Sequence, residues 1–193
     1  MTRPLGVILA GGKATRMGGG DKGLLPLGDS TILGHVTRRL APQVAGLALN
    51  ANGDPARFAA LGLPVVPDSM AGFAGPLAGV LAGLDWAAET GVTHIVTGAA
   101  DTPFLPHDLV SRLKAAASPA GLALAASPSG RHPTFGLWPV ALRDDLRAAL
   151  EGGLRKVVLW TDAHGAGTAA FPDDTAFFNV NTPEDLATAE AML

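Results

Sequence analysis

The segment Leu9-Ala10-Gly11-Gly12-Lys13-Ala14-Thr15-Arg16-Met17-Gly18-Gly19-Gly20-Asp21-Lys22-Gly23 carries the densest chemical signal in the chain. Glycines let the backbone approach an anion closely and aim successive N–H groups into one concave site. Arg16 adds a planar fork of donors suited to phosphate oxygens, and Lys22 adds a mobile point charge. Gly11, Gly12, Arg16 and Lys22 are together the parts of a triphosphate cradle. An ordinary surface loop is the competing reading, but such a loop has no need for two cations set among so many glycines. The Walker pattern, which ends in Gly-Lys-Ser/Thr, is absent. Gly18, Gly20 and Gly23 formally fit G-x-G-x-x-G, yet they begin well beyond the apolar run that precedes them. The next apolar run ends in Asn50 rather than an acid, which disfavours a dinucleotide fold.

Further along, Asp101 opens Asp101-Thr102-Pro103-Phe104 just after another apolar run. A carboxylate there, beside a polyphosphate, is the hard-oxygen ligand that Mg²⁺ favours; one or two suffice, because phosphates and waters complete the octahedron. A turn ahead of Pro106 is the alternative. Asn50 stands where a nucleobase or ribose would sit, or it caps a turn. Asp68 follows Val65–Val66–Pro67, and its carboxylate would select the N–H donors of guanine over adenine, or it begins the turn from Ser69 to Gly75. Gly75-Pro76-Leu77-Ala78-Gly79 either offers helix N-terminal N–H groups to an anion or allows close packing at Gly79. His132-Pro133-Thr134 reads as the start of a strand opposite the nucleotide loops. A lone histidine is usually structural, so His132 is not assigned as a base; Arg131 beside it can hold a phosphate. Arg155 and Lys156 are a basic pair or plain surface charge. Asn179 and Asn181 can hydrogen-bond phosphate or metal-bound water without adding charge, or they shape a turn.

These groups need a scaffold, and the spacing of apolar residues supplies one. Leu5–Ala10, Gly46–Asn50, Pro64–Pro67 and His94–Thr97 read as buried strands. Leu122–Ala126 and Thr134–Trp138 read as a strand pair around Ser127–Gly130. Helical spacing runs from Thr31 to Leu40 and from Pro76 through Leu84, and Pro106 is read as opening a helix through Leu109, Val110 and Leu113. Asp144–Leu150 and Val157–Trp160 are short apolar-faced segments, and Thr182-Pro183-Glu184-Asp185 is a helix start with a capping residue and an acid three positions later. The alternation predicts an α/β fold with a mostly parallel central sheet between helical layers, in a single domain over residues 1–193. Ligands in such sheets collect at the carboxyl ends of the strands. That rule points to the loops after Ala10, Asn50 and Thr97, and to Phe178–Asn181.

Composition narrows the function classes. The 193 residues are 48% hydrophobic and 16% charged, which suits a folded chain. A formal net charge of -3 with no basic tract argues against nucleic acid as a partner. Without cysteine the chain has no disulfide, thiolate metal site or cysteine nucleophile. No stretch approaches a membrane span, and Leu5–Ala10 is too short for an export signal. The expectation is a cytoplasmic protein with no membrane partner.

The run from Leu9 to Leu25 resembles the signature of molybdenum cofactor guanylyltransferases. The wider nucleotidyltransferase superfamily shares the Leu-Ala-Gly-Gly start, the Arg-Met-Gly and a later lysine, and Gly-Gly-x-Asp-Lys-Gly-Leu resembles the guanylyl branch. The likeness extends through Gly75–Gly79 and Asp101 to Asn179-Val180-Asn181-Thr182-Pro183-Glu184, although Ala99-Ala100 stand where many relatives carry Pro-Cys. It implies a three-layer Rossmann-like nucleotidyltransferase fold and transfer of GMP from GTP to molybdopterin. It implies nucleotide binding by Leu9, Ala10, Gly11, Gly12, Lys22, Asn50, Asp68 and Asp101, and catalysis by Arg16, Lys22 and Asp101, with Mg²⁺ on Asp101. Arg131, His132, Arg155, Lys156, Asn179 and Asn181 correspond to the acceptor side. The implied substrates are GTP and molybdopterin, with molybdenum-insertion proteins and molybdoenzyme chaperones as candidate partners. A pterin cytidylyltransferase, a sugar-1-phosphate nucleotidyltransferase and a non-catalytic nucleotide or pterin carrier are the competing functions.

Overall fold

Leu5–Leu9 is buried along its whole length and forms β1 inside a seven-stranded sheet. An apolar run without polar alternates is what a strand covered on both faces requires. The computed structural model describes residues 2–11, 21–70, 72 and 75–193. After β1 come a small hairpin of β2 (Pro26–Leu27) and β3 (Ser30–Thr31), then α1 (Ile32–Leu40), β4 (Leu47–Asn50), β5 (Val65–Val66) and α2 (Pro76–Thr90). There follow β6 (His94–Ala99), α3 (Leu109–Ala115), β7 (Ala123–Ser127), β8 (Gly130–Pro139), α4 (Arg143–Glu151), α5 (Val157–Ala163), β9 (Gly167–Ala170) and α6 (Pro183–Ala191).

The spatial order is β5-β4-β1-β6-β8-β7-β9. Every neighbouring pair is parallel except the two that β8 makes. Helices cover both faces. Leu33, Val36 and Leu40 of α1 and Leu109 and Leu113 of α3 pack on Ile8, Val96 and Phe135. On the other face Leu77, Leu81 and Leu84 of α2, Leu146 of α4 and Trp160 of α5 pack on Val7, Ile95 and Trp138. The expected three-layer α/β fold is therefore the one formed. A third small cluster joins Leu27, Ile32, Val180 and Ala189, so α6 and the loop before it are seated on the β2–β3 hairpin.

The chain leaves β1 for β4 and β5, then α2 carries it back past β1 to β6. The boundary between β1 and β6 is thus the topological switch point, where loops diverge and a crevice opens at the carboxyl ends. Gly11 follows β1 at that crevice and Asp101 follows β6.

Several boundaries differ from the sequence reading. Pro106–Asp108 form a turn, and α3 starts only at Leu109, because Asp108 takes a non-helical φ of -113° and ψ of 16°. The first strand of the β7–β8 pair is close to expectation, but β8 begins earlier, at Gly130. β9 escapes a pattern search because Gly167–Ala170 buries only Ala169. Since β8 runs against its neighbours, its first residues lie at the carboxyl edge of the sheet. His132 is therefore on the same edge as the loops after β1 and β6, not opposite them.

Thr97 fixes β6 to β8 through its side chain: its buried Oγ1 accepts from the Trp138 Nε1–H at 2.9 Å and from Gly136 N–H at 3.3 Å. Thr97→Val keeps the shape and leaves a buried indole donor without an acceptor. Urea denaturation should show stability lower by about 1–3 kcal/mol, with the slope m unchanged.

Candidate active site

A cavity of about 210 Å³ opens at the switch point, lined by Leu9, Ala10 and Gly11, by Asp21 and Lys22, and by Asp101. Backbone pairing runs past the strand ends and ties these loops together: Ala10 N–H donates to Asn50 O at 2.9 Å, and Ala100 N–H donates to Leu9 O at 3.1 Å. The ammonium of Lys22 donates to Asp101 Oδ2 at 2.6 Å and to Asn181 Oδ1 at 2.5 Å. Both members of the ion pair keep part of their surface open, 24% for Lys22 and 20% for Asp101.

The segment before α6 is locked to the loop that carries this carboxylate. Val180 N–H donates to the Asp101 carbonyl at 2.9 Å. Thr102, fully buried, donates from Oγ1 to Asn179 Oδ1 at 2.6 Å. The capping box of α6 completes the arrangement. Thr182 Oγ1 accepts from Asp185 N–H, and Asp185 Oδ2 accepts from the N–H groups of Thr182 and Asn181, each at 2.9 Å. Those backbone donors, Asn181 first, hold the Asp185 carboxyl below the usual carboxylate range. The helix cap therefore orients Asn181 toward Lys22.

Asn50 and Asp68 form a second group next to the cavity. Asn50, only 3% exposed, donates from Nδ2 to Val66 O at 3.1 Å and to Asp68 Oδ1 at 3.0 Å. Asn52 closes a ring with Asp68: its Nδ2 donates to Asp68 Oδ2 at 2.7 Å, and Asp68 N–H donates to Asn52 Oδ1 at 2.9 Å. Gly79, in the first turn of α2, makes room for Asn50. A Cβ there would stand 2.9 Å from Asn50 Cγ and 2.9 Å from Leu9 Cδ2. Close packing is thus the observed role of Gly79.

The structure brings Leu9, Ala10, Gly11, Lys22, Asp101 and Asn181 to one place, with Asn179 one hydrogen bond away through Thr102. Gly12 and Arg16 lie outside the described residues. Neither the six expected acceptor-side residues nor Asn50 and Asp68 are part of the cavity lining. Arg131 is paired with Asp162, which raises its pKa. Arg155 donates to the carbonyls of Leu150 at 3.1 Å and Leu154 at 2.7 Å, at the end of α4. Lys156 is exposed just before α5. His132 stacks on Phe177 with ring centroids 4.0 Å apart, and its Nε2 is 2.6 Å from Ser127 Oγ. Among the described residues, no cluster of three or more His, Cys, Asp or Glu could enclose a metal.

The chain resembles known proteins in sequence and in fold. Residues 6–166 match the family model described as the MobA-like NTP transferase domain. A molybdenum cofactor guanylyltransferase from Bradyrhizobium sp. is 56% identical over 97% of this chain and 92% of its own length. The chain belongs to the molybdenum cofactor guanylyltransferases. Two solved structures share the fold of this family member. Molybdopterin-guanine dinucleotide biosynthesis protein A from Archaeoglobus fulgidus superposes with a TM-score of 0.72, at 22% identity and 97% coverage of both chains. A Mycobacterium tuberculosis protein in complex with manganese gives a TM-score of 0.70, at 20% identity over all of both chains.

Sequence reasoning missed Thr102, Asp185 as a holder of Asn181, and Asn52 as a partner of Asp68. Asp185 was visible as the acid three residues after a cap, but a capping motif does not announce what its free edge points at. Thr102 and Asn52 carry no signal beyond adjacency to a chosen residue.

Burial holds the His132 imidazole below the usual histidine pKa, with the Asp174 carboxylate opposing it; burial acts likewise on His94. The unfolded chain therefore binds more protons below pH of about 6.5, so stability is complete above that value and declines as pH falls through the folded-state pKa. The urea midpoint should drop between pH of about 7.5 and about 5.5, and His132→Gln should reduce that drop without abolishing it.

Proposed function

We propose that this chain transfers GMP from GTP to the phosphate of molybdopterin, forming molybdopterin guanine dinucleotide and releasing pyrophosphate, at the cavity between β1 and β6. The observation that carries this reading is the meeting of Gly11, Lys22, Asp101 and Asn181 in one crevice of a guanylyltransferase chain.

A phosphate monoester is already ionised near neutral pH, so its oxygen attacks the α-phosphorus of GTP in line without a strong base. A new P–O bond forms at the α-phosphorus, the bond to the bridging oxygen of the β-phosphate breaks, and that oxygen leaves with pyrophosphate. The obstacle is the repulsion of two polyanions. Backbone N–H groups at Gly11 and Gly12, with Arg16 and Lys22, supply fixed positive charge along the triphosphate. An ammonium has three donors; described residues take two of Lys22's, and the third is for phosphate. Asp68 accepts from the guanine edge, with Asn50 holding its carboxylate in place. Asn179 and Asn181 hydrogen-bond the phosphates beside the acceptor, while Arg131, His132, Arg155 and Lys156 border the pterin.

A divalent cation would be held by Asp101: one carboxylate is enough when phosphates and water supply the remaining oxygens. The Asp101 Oδ1 atom is only 3.4 Å from the Thr102 hydroxyl, a loose contact that leaves it available. Mg²⁺ held there would neutralise phosphate charge as a Lewis acid.

Mass analysis of the product from GTP, Mg²⁺ and molybdopterin tests the reading; no adduct heavier by a guanylyl group would refute it. Lys22→Ala should lower turnover by about 10²–10³, the loss typical of one transition-state donor, with an unchanged circular dichroism spectrum. Near wild-type turnover would remove Lys22 from the mechanism.

A further inference from the structure

Arg57 lies on the 3-10 segment Pro55–Leu61, in the connection between β4 and β5. Its guanidinium spans two loops. Nε stands 2.6 Å from Asp21 Oδ2, and Nη2 donates to the Asn52 carbonyl at 2.6 Å. The same group lies 4.7 Å from the centroid of the Phe58 ring. Both members of the Arg57–Asp21 pair are largely covered, at 34% and 26% exposure. Gly53 makes this path possible: it adopts a φ of 86°, and a Cβ there would come 2.8 Å from Arg57 Nη1.

Asp21 and Phe58 line the cavity, directly beside Lys22, and Asn52 is the residue that closes the ring with Asp68. One side chain therefore joins the loop carrying Lys22 to the loop holding Asp68. The electrostatics give this contact a purpose. A carboxylate on the wall of a cavity that receives a triphosphate repels its ligand unless a cation neutralises it. A guanidinium bound through Nε and Nη2 to two different loops also fixes the direction in which that carboxylate points.

We propose that Arg57 is a positioning residue for GTP: it neutralises the Asp21 carboxylate and holds it away from the triphosphate path, so that within Asp21–Gly23 the charge presented to the phosphates is that of Lys22. This rests on the nucleotide reading of the cavity given above. Arg57 need not touch the nucleotide, and its effect runs through Asp21.

Calorimetric titration of the full chain with GTP and Mg²⁺, without acceptor, distinguishes the possibilities. Arg57→Ala should weaken GTP binding on the order of tenfold, and in turnover assays KM for GTP should rise with little change in kcat. The double variant Arg57→Ala/Asp21→Asn should recover most of that loss, because no carboxylate then needs a partner. Arg57→Gln keeps the aliphatic stem over Gly53 and should behave like Arg57→Ala, which covers the case in which the alanine variant does not fold. A double variant that binds no better than Arg57→Ala, or an Arg57→Gln protein that binds like wild type, overturns the inference while leaving the nucleotide reading intact. Wild-type protein with no affinity for GTP overturns both.

Discussion

The ammonium of Lys22 lies within hydrogen-bonding distance of Asp101 and Asn181, residues 79 and 159 positions away along the chain. Three distant segments thus meet on one cation. The contact does little for stability, since partly exposed ion pairs contribute only about 0–1 kcal/mol net. Its consequence is for the ligand. A carboxylate 2.6 Å from the ammonium balances its charge at the point where, on the proposed mechanism, the triphosphate sits. On the proposed mechanism the same carboxylate has a second use, as the oxygen donor for a divalent cation. The pair therefore keeps both of its members in place, and nearly neutral together, until a charged ligand divides them.

Glycine determines how closely the rest of the site can gather. Asn50 can reach Val66 and Asp68 only because Gly79 presents no side chain to α2's sheet-facing surface. Gly53 does the same for the guanidinium of Arg57. In both places a polar group of another residue lies where a Cβ would stand, and at Gly53 a φ of 86° adds a backbone requirement of its own. The small residues at these turns convert sheet topology into the tight approach that a polar site requires.

The framework was legible where burial leaves a period. Leu5–Leu9 and His94–Ala99 are apolar runs, and Thr182 begins a helix whose cap is written in the sequence. The rule that ligands gather at strand carboxyl ends then located the loops containing Gly11 and Asp101 without knowledge of contacts. What stayed hidden has one physical character. Pro55–Leu61 is a 3-10 segment in which only Phe58 is buried, so no periodicity distinguishes it and Arg57 looks like surface charge. Thr102 is small and polar yet fully buried, a placement that depends on Asn179 arriving from the far end of the chain. Long-range polar pairings are set by topology, and topology is not encoded in any local window.

The basic residues on the acceptor side show why neutral amides matter here. Arg131 is matched by Asp162, which offsets its charge, and Arg155 donates to carbonyls at the end of α4, which fixes where its charge is held. The chain carries a net charge of -3 overall, and long-range attraction cannot make up the difference. A carboxylate at position 181 would compete with Asp101 for Lys22 and place further negative charge before a polyanion. A cation there would repel Lys22. The Asn181 amide avoids both: its oxygen accepts from Lys22 while its nitrogen remains a donor. Anchoring that amide through the cap of α6 makes the site's polarity depend on a helix terminus that the sequence specifies strongly.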